Sequence, residues 1–258
     1  SWNQYPLGAC AIAQVATTAK KAKVEFEVNA ESGIIEKYKV NGVDYIADGF
    51  GLRPNYWRAP IDNDYGNGAP ARWQAWKVYG KECKPAEVTD QMVGENRVVK
   101  VVYNLEDLGC SNVVTYTIEP SGILTVEAQM SESSFKEAPR YGVRWRMPQE
   151  FANVRFYGRG PWENYCDRKD GAQFAIYSCT VDNMYVPYVR PQENGHRVDT
   201  RWLEIKNAKG RGLVIHAVGT PFEFNALHNS VEDFDAEEST APYQWNNFVE
   251  NDPHDVGR

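Results

Sequence analysis

Basic charge is in short supply in this sequence. Lys and Arg number 28 against 35 Asp and Glu, a formal charge of −7. Nucleic-acid binders normally carry a basic footprint, and attraction to anionic lipid needs clustered Lys and Arg. Neither nucleic acid nor an anionic membrane surface is therefore expected as a partner; moderate acidity mainly supplies solubility. Long apolar runs are missing too. None approaches the ~18 residues read as a membrane-spanning helix, so no membrane span is expected. The opening "SWNQYPLGACAIAQ" lacks the basic start and long apolar stretch of a secretory signal. It begins with Ser1 rather than Met, as a processed chain or an excised piece would. The compartment, cytoplasmic or periplasmic, then depends on what precedes it.

Metal and cofactor signatures are equally sparse. Cys10, Cys83, Cys110, Cys166 and Cys179 are odd in number and scattered, without a C-x-x-C pair. They are expected to be reduced thiols, some buried, rather than a zinc site. None of His196, His216, His228 and His254 has a second His or Cys two to four residues away. His216 sits in the apolar run "GLVIHAV" and reads as a sheet residue. "DNDYGNG" (Asp62–Gly68) opens like a calcium loop but has no glutamate at the twelfth position. Asx turns capping a loop are expected there instead. No G-x-S-x-G nucleophile elbow and no G-x-G-x-x-G nucleotide turn occurs. No metal and no cofactor is expected.

What the sequence does have is alternation. "VEFEV" (Val24–Val28), "KVVYN" (Lys100–Asn104), "NVVTYTI" (Asn112–Ile118) and "ILTVEAQ" (Ile123–Gln129) alternate apolar and polar residues. So do "GVRWRMP" (Gly142–Pro148), "NVRFYG" (Asn153–Gly158), "TRWLEI" (Thr200–Ile205), "GLVIHAV" (Gly212–Val218) and "FEFNA" (Phe222–Ala226). A period of two puts alternate side chains on opposite faces of a strand. Asn41-Gly42 predicts a two-residue hairpin, and "EPSGIL" predicts a turn between antiparallel strands. Helical signal is confined to "GAPARWQAWKVYG" (Gly68–Gly80), with Trp73, Trp76 and Tyr79 at i, i+3, i+6. "SVEDFDAEEST" (Ser230–Thr240) reads as a short helix or a solvated loop. The fold class predicted is all-β: a large antiparallel β-sandwich with little helix and an aromatic core.

Two stretches echo each other, "GRGPWENYCDR" and "YVRPQENGHRVD", each with Pro-x-Glu-Asn at Pro161–Asn164 and Pro191–Asn194. Glu163 and Glu193 have two readings. A retaining glycosidase uses two carboxyls about 5–5.5 Å apart, one of them neutral. The setting favours the other reading, a structural one. Proline fixes φ and removes a donor, and Asn tolerates left-handed turns. Arg159 and Arg168 flank Glu163, and Arg190 and Arg197 flank Glu193. A carboxylate beside a guanidinium is held ionised, which suits a clamp better than a general acid. Arg159, Glu163, Asn164, Arg168, Arg190, Glu193, Asn194 and Arg197 are thus expected to lock two turns.

Four longer stretches carry a resemblance. They are "NYWRAPIDNDYG" (Asn55–Gly66), "GVRWRMPQEFANVRFYGRGPWENYCDRKDGA" (Gly142–Ala172), "MYVPYVRPQENGHRVDTRW" (Met184–Trp202) and "FEFNALH" (Phe222–His228). Together they closely resemble the C-terminal region, or small chain, of bacterial β-galactosidases of glycoside hydrolase family two. The resemblance runs in order from about Val15 to His228. "SWNQYPL" is similar to the last strand of the immunoglobulin-like domain that precedes this region in such enzymes.

The resemblance implies a supersandwich similar to galactose mutarotases. It implies that residues 1–12 end a preceding immunoglobulin-like domain or linker and that 13–258 form the sandwich. In the family the two catalytic glutamates lie on an upstream TIM barrel, and neither Glu163 nor Glu193 matches them. A tryptophan in a G-G-D-x-S-W loop near the family's C-terminus reaches the galactose site. This sequence stops at "ENDPHDVGR", Trp245 in "YQWNN" does not match that loop, and the last strands are expected to be missing. The function expected is a non-catalytic sandwich supporting the active-site rim and subunit contacts of an oligomeric enzyme that hydrolyses terminal β-galactosides. Its partners would be the barrel and the immunoglobulin-like domain of the parent chain, with galactosides as the ligand class. Two alternatives stand beside it. A carbohydrate-binding module would use Trp57, Arg58, Asp62, Asn63, Asp64 and Trp162. An aldose 1-epimerase-like enzyme would pair His196 or His216 with Glu193.

Overall fold

The computed structural model describes residues 20–82, 84–133 and 137–235. The expectations for residues 1–12, the missing last strands, Cys10, Cys83, Trp245 and His254 fall outside them. The described chain forms two compact units, one of residues 18–58 and 64–148, the other built mainly from residue 149 onward with 59–63. Both are antiparallel β structures, as the alternation predicts.

In the first unit, β1 (Val24–Val28), β2 (Ile35–Val40) and β3 (Val43–Asp44) make a three-stranded sheet. Asn41 and Gly42 close its hairpin with φ of 50° and 84°. A primed two-residue turn requires positive φ at both centres, which is why Asn-Gly serves there. β4 (Arg53–Asn55) follows, then three short helices: α1 (Asp62–Gly66), whose first two residues belong to the second unit, α2 (Ala69–Arg72) and α3 (Gln74–Lys81). β5 (Glu87–Val93), β6 (Asn96–Leu105), β7 (Cys110–Ile118) and β8 (Leu124–Met130) form a four-stranded meander, and β9 (Gly142–Arg144) pairs with β4. Phe26 and Ile35 from the small sheet meet Val99, Val101, Tyr103, Val114 and Tyr116 from the meander in one buried core. Trp73 and Trp76 join it from the helical segment. Tyr38 Oη donates to Gly122 O at 2.7 Å, and Arg97 Nη1 donates to Phe26 O at 2.7 Å, tying sheet to sheet.

One expectation is met only in part, and one strand carries no signal in the sequence. Within "DNDYGNG", Asp62–Gly66 is a short helix in which the Asp64 carboxylate accepts from both Arg58 Nη atoms at 2.7 and 3.2 Å, while an Asx turn of the expected kind stands at Asn67, whose Oδ1 accepts the Ala69 amide at 3.0 Å at the start of α2. β5, "EVTDQMV", has no apolar alternation because it is an exposed edge strand, paired among the described residues with β6 alone. Its pairing comes from main-chain bonds, which leave no mark on side-chain pattern.

In the second unit, β10 (Asn153–Gly160) and β11 (Gln173–Thr180) pair, β12 (Arg197–Thr200) stands apart, and β13 (Trp202–Lys206) and β14 (Gly212–His216) complete a sheet of order β11-β10-β13-β14. β15 (Phe222–Phe224) pairs with β12 in a two-stranded ladder. Val154 and Phe156 on β10 and Leu203 and Ile205 on β13 bury one face of the larger sheet. Phe156 meets Phe224 edge-on with ring centroids 5.2 Å apart. Gly158 is required where β10 crosses Thr200, because a Cβ there would lie 2.8 Å from Thr200 Oγ1.

Phe156 is fully buried, so Phe156→Ala is expected to cost about 3–5 kcal/mol in denaturant unfolding. Lys100→Ala, on the exposed side of β6, should change little. Burial pushes Tyr38, with a smaller push from Tyr45, and Tyr141 up to about 12. The folded chain then keeps two protons that the unfolded chain releases near pH ~10. Their contribution is complete below ~10 and is lost as pH rises through about 12. Alkaline difference spectroscopy should show Tyr38 and Tyr141 among the late-titrating tyrosines, with stability falling over that window; uniform titration near 10 would contradict this.

Candidate functional site

The two Pro-x-Glu-Asn turns meet in the second unit. β10 ends at Gly160, and a cis Gly160–Pro161 bond leads into the first turn. Asn164 Nδ2 donates to Trp162 O at 2.9 Å and to Arg159 O at 3.0 Å. Its Oδ1 accepts the Val198 amide at 3.0 Å, and its own backbone N–H donates to His196 O at 2.9 Å. The second turn repeats the pattern. Asn194 Nδ2 donates to Gln192 O, two residues back, at 3.0 Å, while Oδ1 accepts the Val186 amide at 3.1 Å. Both Asn side chains thus close their own turn and cap a backbone amide elsewhere. Each is nearly inaccessible, 1% and 2% exposed.

The glutamates are engaged as acceptors. Glu163 Oε2 takes the Gly195 amide at 2.8 Å, so the first turn holds the end of the second. Glu163 Oε1 takes Arg168 Nη2 at 2.6 Å and the Tyr188 hydroxyl. That bond raises the Arg168 guanidinium, and burial followed by the same carboxylate raises the Tyr188 phenol. Glu193 Oε1 accepts Asn225 Nδ2 at 2.9 Å. Such charge-assisted bonds are among the stronger ones available to a loop.

The arginines divide differently from their order in sequence. Arg168 meets Glu163, its neighbour in the chain. Arg159 turns instead to Asp199, with Nε 2.6 Å from Oδ2, and donates to Ala172 O at 2.8 Å. Arg190 reaches Asp62 at 2.8 Å, 128 residues away. Arg197, 3% exposed, donates to Gly195 O, His196 O and Pro161 O. Burial lowers its guanidinium below the ordinary value.

The epimerase-like pairing takes another form. His196 is buried and stacked on Tyr165 with centroids 5.2 Å apart. Its Nδ1 lies 2.6 Å from Asn225 Oδ1 and its Nε2 lies 2.9 Å from Glu223 Oε2, so Glu193 is joined to it through Asn225. His216 is on the exposed side of β14. Among the sugar-facing candidates, Trp57 is buried with Lys77 Nζ 4.9 Å from its ring. Arg58 and Asp64 are paired to each other, Asp62 is paired to Arg190, and Asn63 is exposed in α1. Trp162 is 79% exposed. Tyr188, Glu223 and Asn225 were not singled out by sequence reasoning. All three lie within stretches that carry the family resemblance, Tyr188 in "MYVPYVRPQENGHRVDTRW" and Glu223 and Asn225 in "FEFNALH".

Comparison with known families agrees with this arrangement of motifs. A family model described as the β-galactosidase small chain matches residues 20–252. The chain belongs to that family. Among curated proteins it is similar to the β-galactosidase of Priestia megaterium, 38% identical over 200 residues, covering 77% of this chain and 19% of that protein. The β-galactosidase of Streptococcus thermophilus is 35% identical over 198 residues, covering 75% and 19%. The Bifidobacterium adolescentis β-galactosidase BgaC is 33% identical over 178 residues, covering 66% and 17%. The chain spans about a fifth of the length of these relatives. Among the described residues, no helix is long and apolar enough to cross a membrane.

Asn164→Ala removes three side-chain bonds and strands the Val198 amide, which should cost about 2–4 kcal/mol. Arg168→Ala should cost under ~1 kcal/mol, because that side chain is 58% exposed and Glu163 keeps two other donors. Denaturation of both variants checks the order; equal losses would mean that the Asn164 carboxamide is not the stronger tie.

Proposed function

We propose that this chain is a non-catalytic sandwich component of a β-galactosidase, and that it supports the rim of a galactoside site formed mainly by other parts of the parent protein. The observation that carries the reading is family membership combined with length: relatives named β-galactosidase are matched over only 19% of their extent. The site geometry supports it. A general acid needs a carboxyl free to hold and release a proton near working pH. Glu163 instead accepts from Arg168, Tyr188 and a backbone amide, and this suits holding a loop. The barrel and immunoglobulin-like domains are the proposed partners, in an oligomeric parent that hydrolyses terminal β-galactosides.

One observation favours a second reading, that of a sugar-binding module. Trp162 presents its ring to solvent on a turn whose flanking carbonyls, Pro161 O and Trp162 O, are held by Arg197 and Asn164. A fixed, exposed indole suits stacking on the apolar face of a sugar ring.

The purified chain should hydrolyse a nitrophenyl β-galactoside no faster than buffer, with Glu163→Gln and Glu193→Gln unchanged from that baseline. Enzyme-like turnover abolished by either substitution would remove the first reading. Titration with lactose should quench or shift tryptophan emission only if the second reading holds, and Trp162→Phe should then abolish the change.

A further inference from the structure

Asn-Gly occurs at three places in the chain, Asn41-Gly42, Asn67-Gly68 and Asn194-Gly195. The glycines have φ of 84°, 72° and 74°. The pair has chemistry of its own as well as turn geometry. The glycine nitrogen can close on the asparagine Cγ to form a cyclic imide, and a glycine has no Cβ to obstruct the approach. Asparagine is among the thermolabile residues. Three groups decide whether a fold permits the reaction. They are the glycine N–H as nucleophile, the Nδ2 amide as leaving group, and Oδ1, where negative charge gathers.

The three sites differ in these groups. At Asn194-Gly195 the Gly195 amide donates to Glu163 Oε2 at 2.8 Å, so the nucleophile is held. Asn194 Nδ2 donates to Gln192 O at 3.0 Å, so the leaving group is held too, and the residue is buried. At Asn67-Gly68 both residues are exposed, but the Gly68 amide donates to Tyr65 O at 3.2 Å. Arg72 Nη1 grips Asn67 O at 2.6 Å. Asn41 and Gly42 are exposed at the tip of the β2–β3 hairpin. Among the described residues neither the Gly42 amide nor Asn41 Nδ2 has a hydrogen-bond partner. Oδ1 does have one: it accepts the Lys23 backbone amide at 3.0 Å. A donor at that oxygen stabilises the charge that develops as Cγ becomes tetrahedral. The ladder behind the turn has only the pairs Lys39↔Asp44 and Val40↔Val43, so the turn opens to the attacking geometry at low cost.

We propose that Asn41 is a self-modification site, converted through its own main chain to aspartate and isoaspartate. The Gly42 nitrogen gives its proton to hydroxide and bonds to Cγ. The Cγ–Nδ2 bond breaks, and Nδ2 takes a proton and leaves as ammonia. Water then opens the imide at either carbonyl. Attack at Cγ gives aspartate, and attack at the main-chain carbon gives isoaspartate. Water is consumed, ammonia is released and nothing is oxidised. Either product adds a negative charge to the turn. Isoaspartate also routes the main chain through Cβ and Cγ, which lengthens a turn whose two centres both need positive φ. It displaces the carboxamide that meets Lys23, and the Asn41 N–H that donates to Lys23 O at 2.8 Å. The β2–β3 hairpin and its tie to the start of β1 are thereby weakened. The proposal does not rest on the β-galactosidase reading.

Peptide mapping by mass spectrometry tests it on the full chain, aged in mildly alkaline buffer. In the folded chain Asn41 should convert about tenfold or more faster than Asn194, because a held site reacts only through its opened state. Asn67 should fall between them. In urea, where the restraints of the fold are gone, the three rates should converge. Labelling with an isoaspartyl methyltransferase should mark the Asn41 peptide first. Asn41 left intact in the folded chain overturns the proposal. So does conversion of Asn67 or Asn194 at the Asn41 rate in the folded chain. Aspartate without isoaspartate at position 41 overturns the imide route, since it would mean direct attack of water on the side chain.

Discussion

The carboxamide of Asn164 sits where three pieces of chain need hydrogen-bond partners at once. It closes the turn after β10, it caps the amide of Val198 at the start of β12, and its backbone holds His196 O. Only a side chain with a donor and an acceptor at one end satisfies both kinds of partner, and Asn is short enough to do so inside a turn. Buried backbone groups left without partners are expensive. The rest follows from this tie. Glu163, the next residue back, is carried to Gly195; Tyr188 and Arg168 gather on its carboxylate; Arg197 fills the space beneath and satisfies three carbonyls. Asn194 makes the same kind of turn independently, and Asn225 joins its neighbour Glu193 to His196.

Much of this was legible in the sequence where local chemistry decides the outcome. The β10 and β13 segments alternate because one face is buried, β14 alternates between half-buried and exposed positions, and the Asn41-Gly42 hairpin needs positive φ that few other pairs tolerate. The α2–α3 segment follows from Trp73 and Trp76 at helical spacing. Pro-x-Glu-Asn stood out because its four residues each have a distinct turn preference. Illegible were the partners chosen by tertiary position. Arg159 sits beside Glu163 in sequence yet is carried by β10 to Asp199, and Arg190 meets Asp62 from the far side of the chain. β5 was invisible because an exposed edge strand has no buried face to pattern.

The same division runs through function. The long motifs identify the family, and the family model matches most of the chain. What the chain does chemically is a separate matter, since fold and family place a site without supplying its acid and base. The arrangement around Glu163 and Glu193 directs its polar groups on one another and on nearby backbone amides. Trp162 stands exposed on the first of the two Pro-x-Glu-Asn turns.

Amide hydrogen exchange tests the central claim, that side chains lock these turns, most directly. The amides of Gly195, Val198 and Val186 are capped by Glu163, Asn164 and Asn194, and Gly195 and Val186 lie in segments without strand or helix. In a locked site all three exchange slowly, opening only in events that also expose neighbouring β10 and β12 amides. Exchange of Gly195 and Val186 at the rate of unprotected loop amides, while β10 stays protected, would contradict the account.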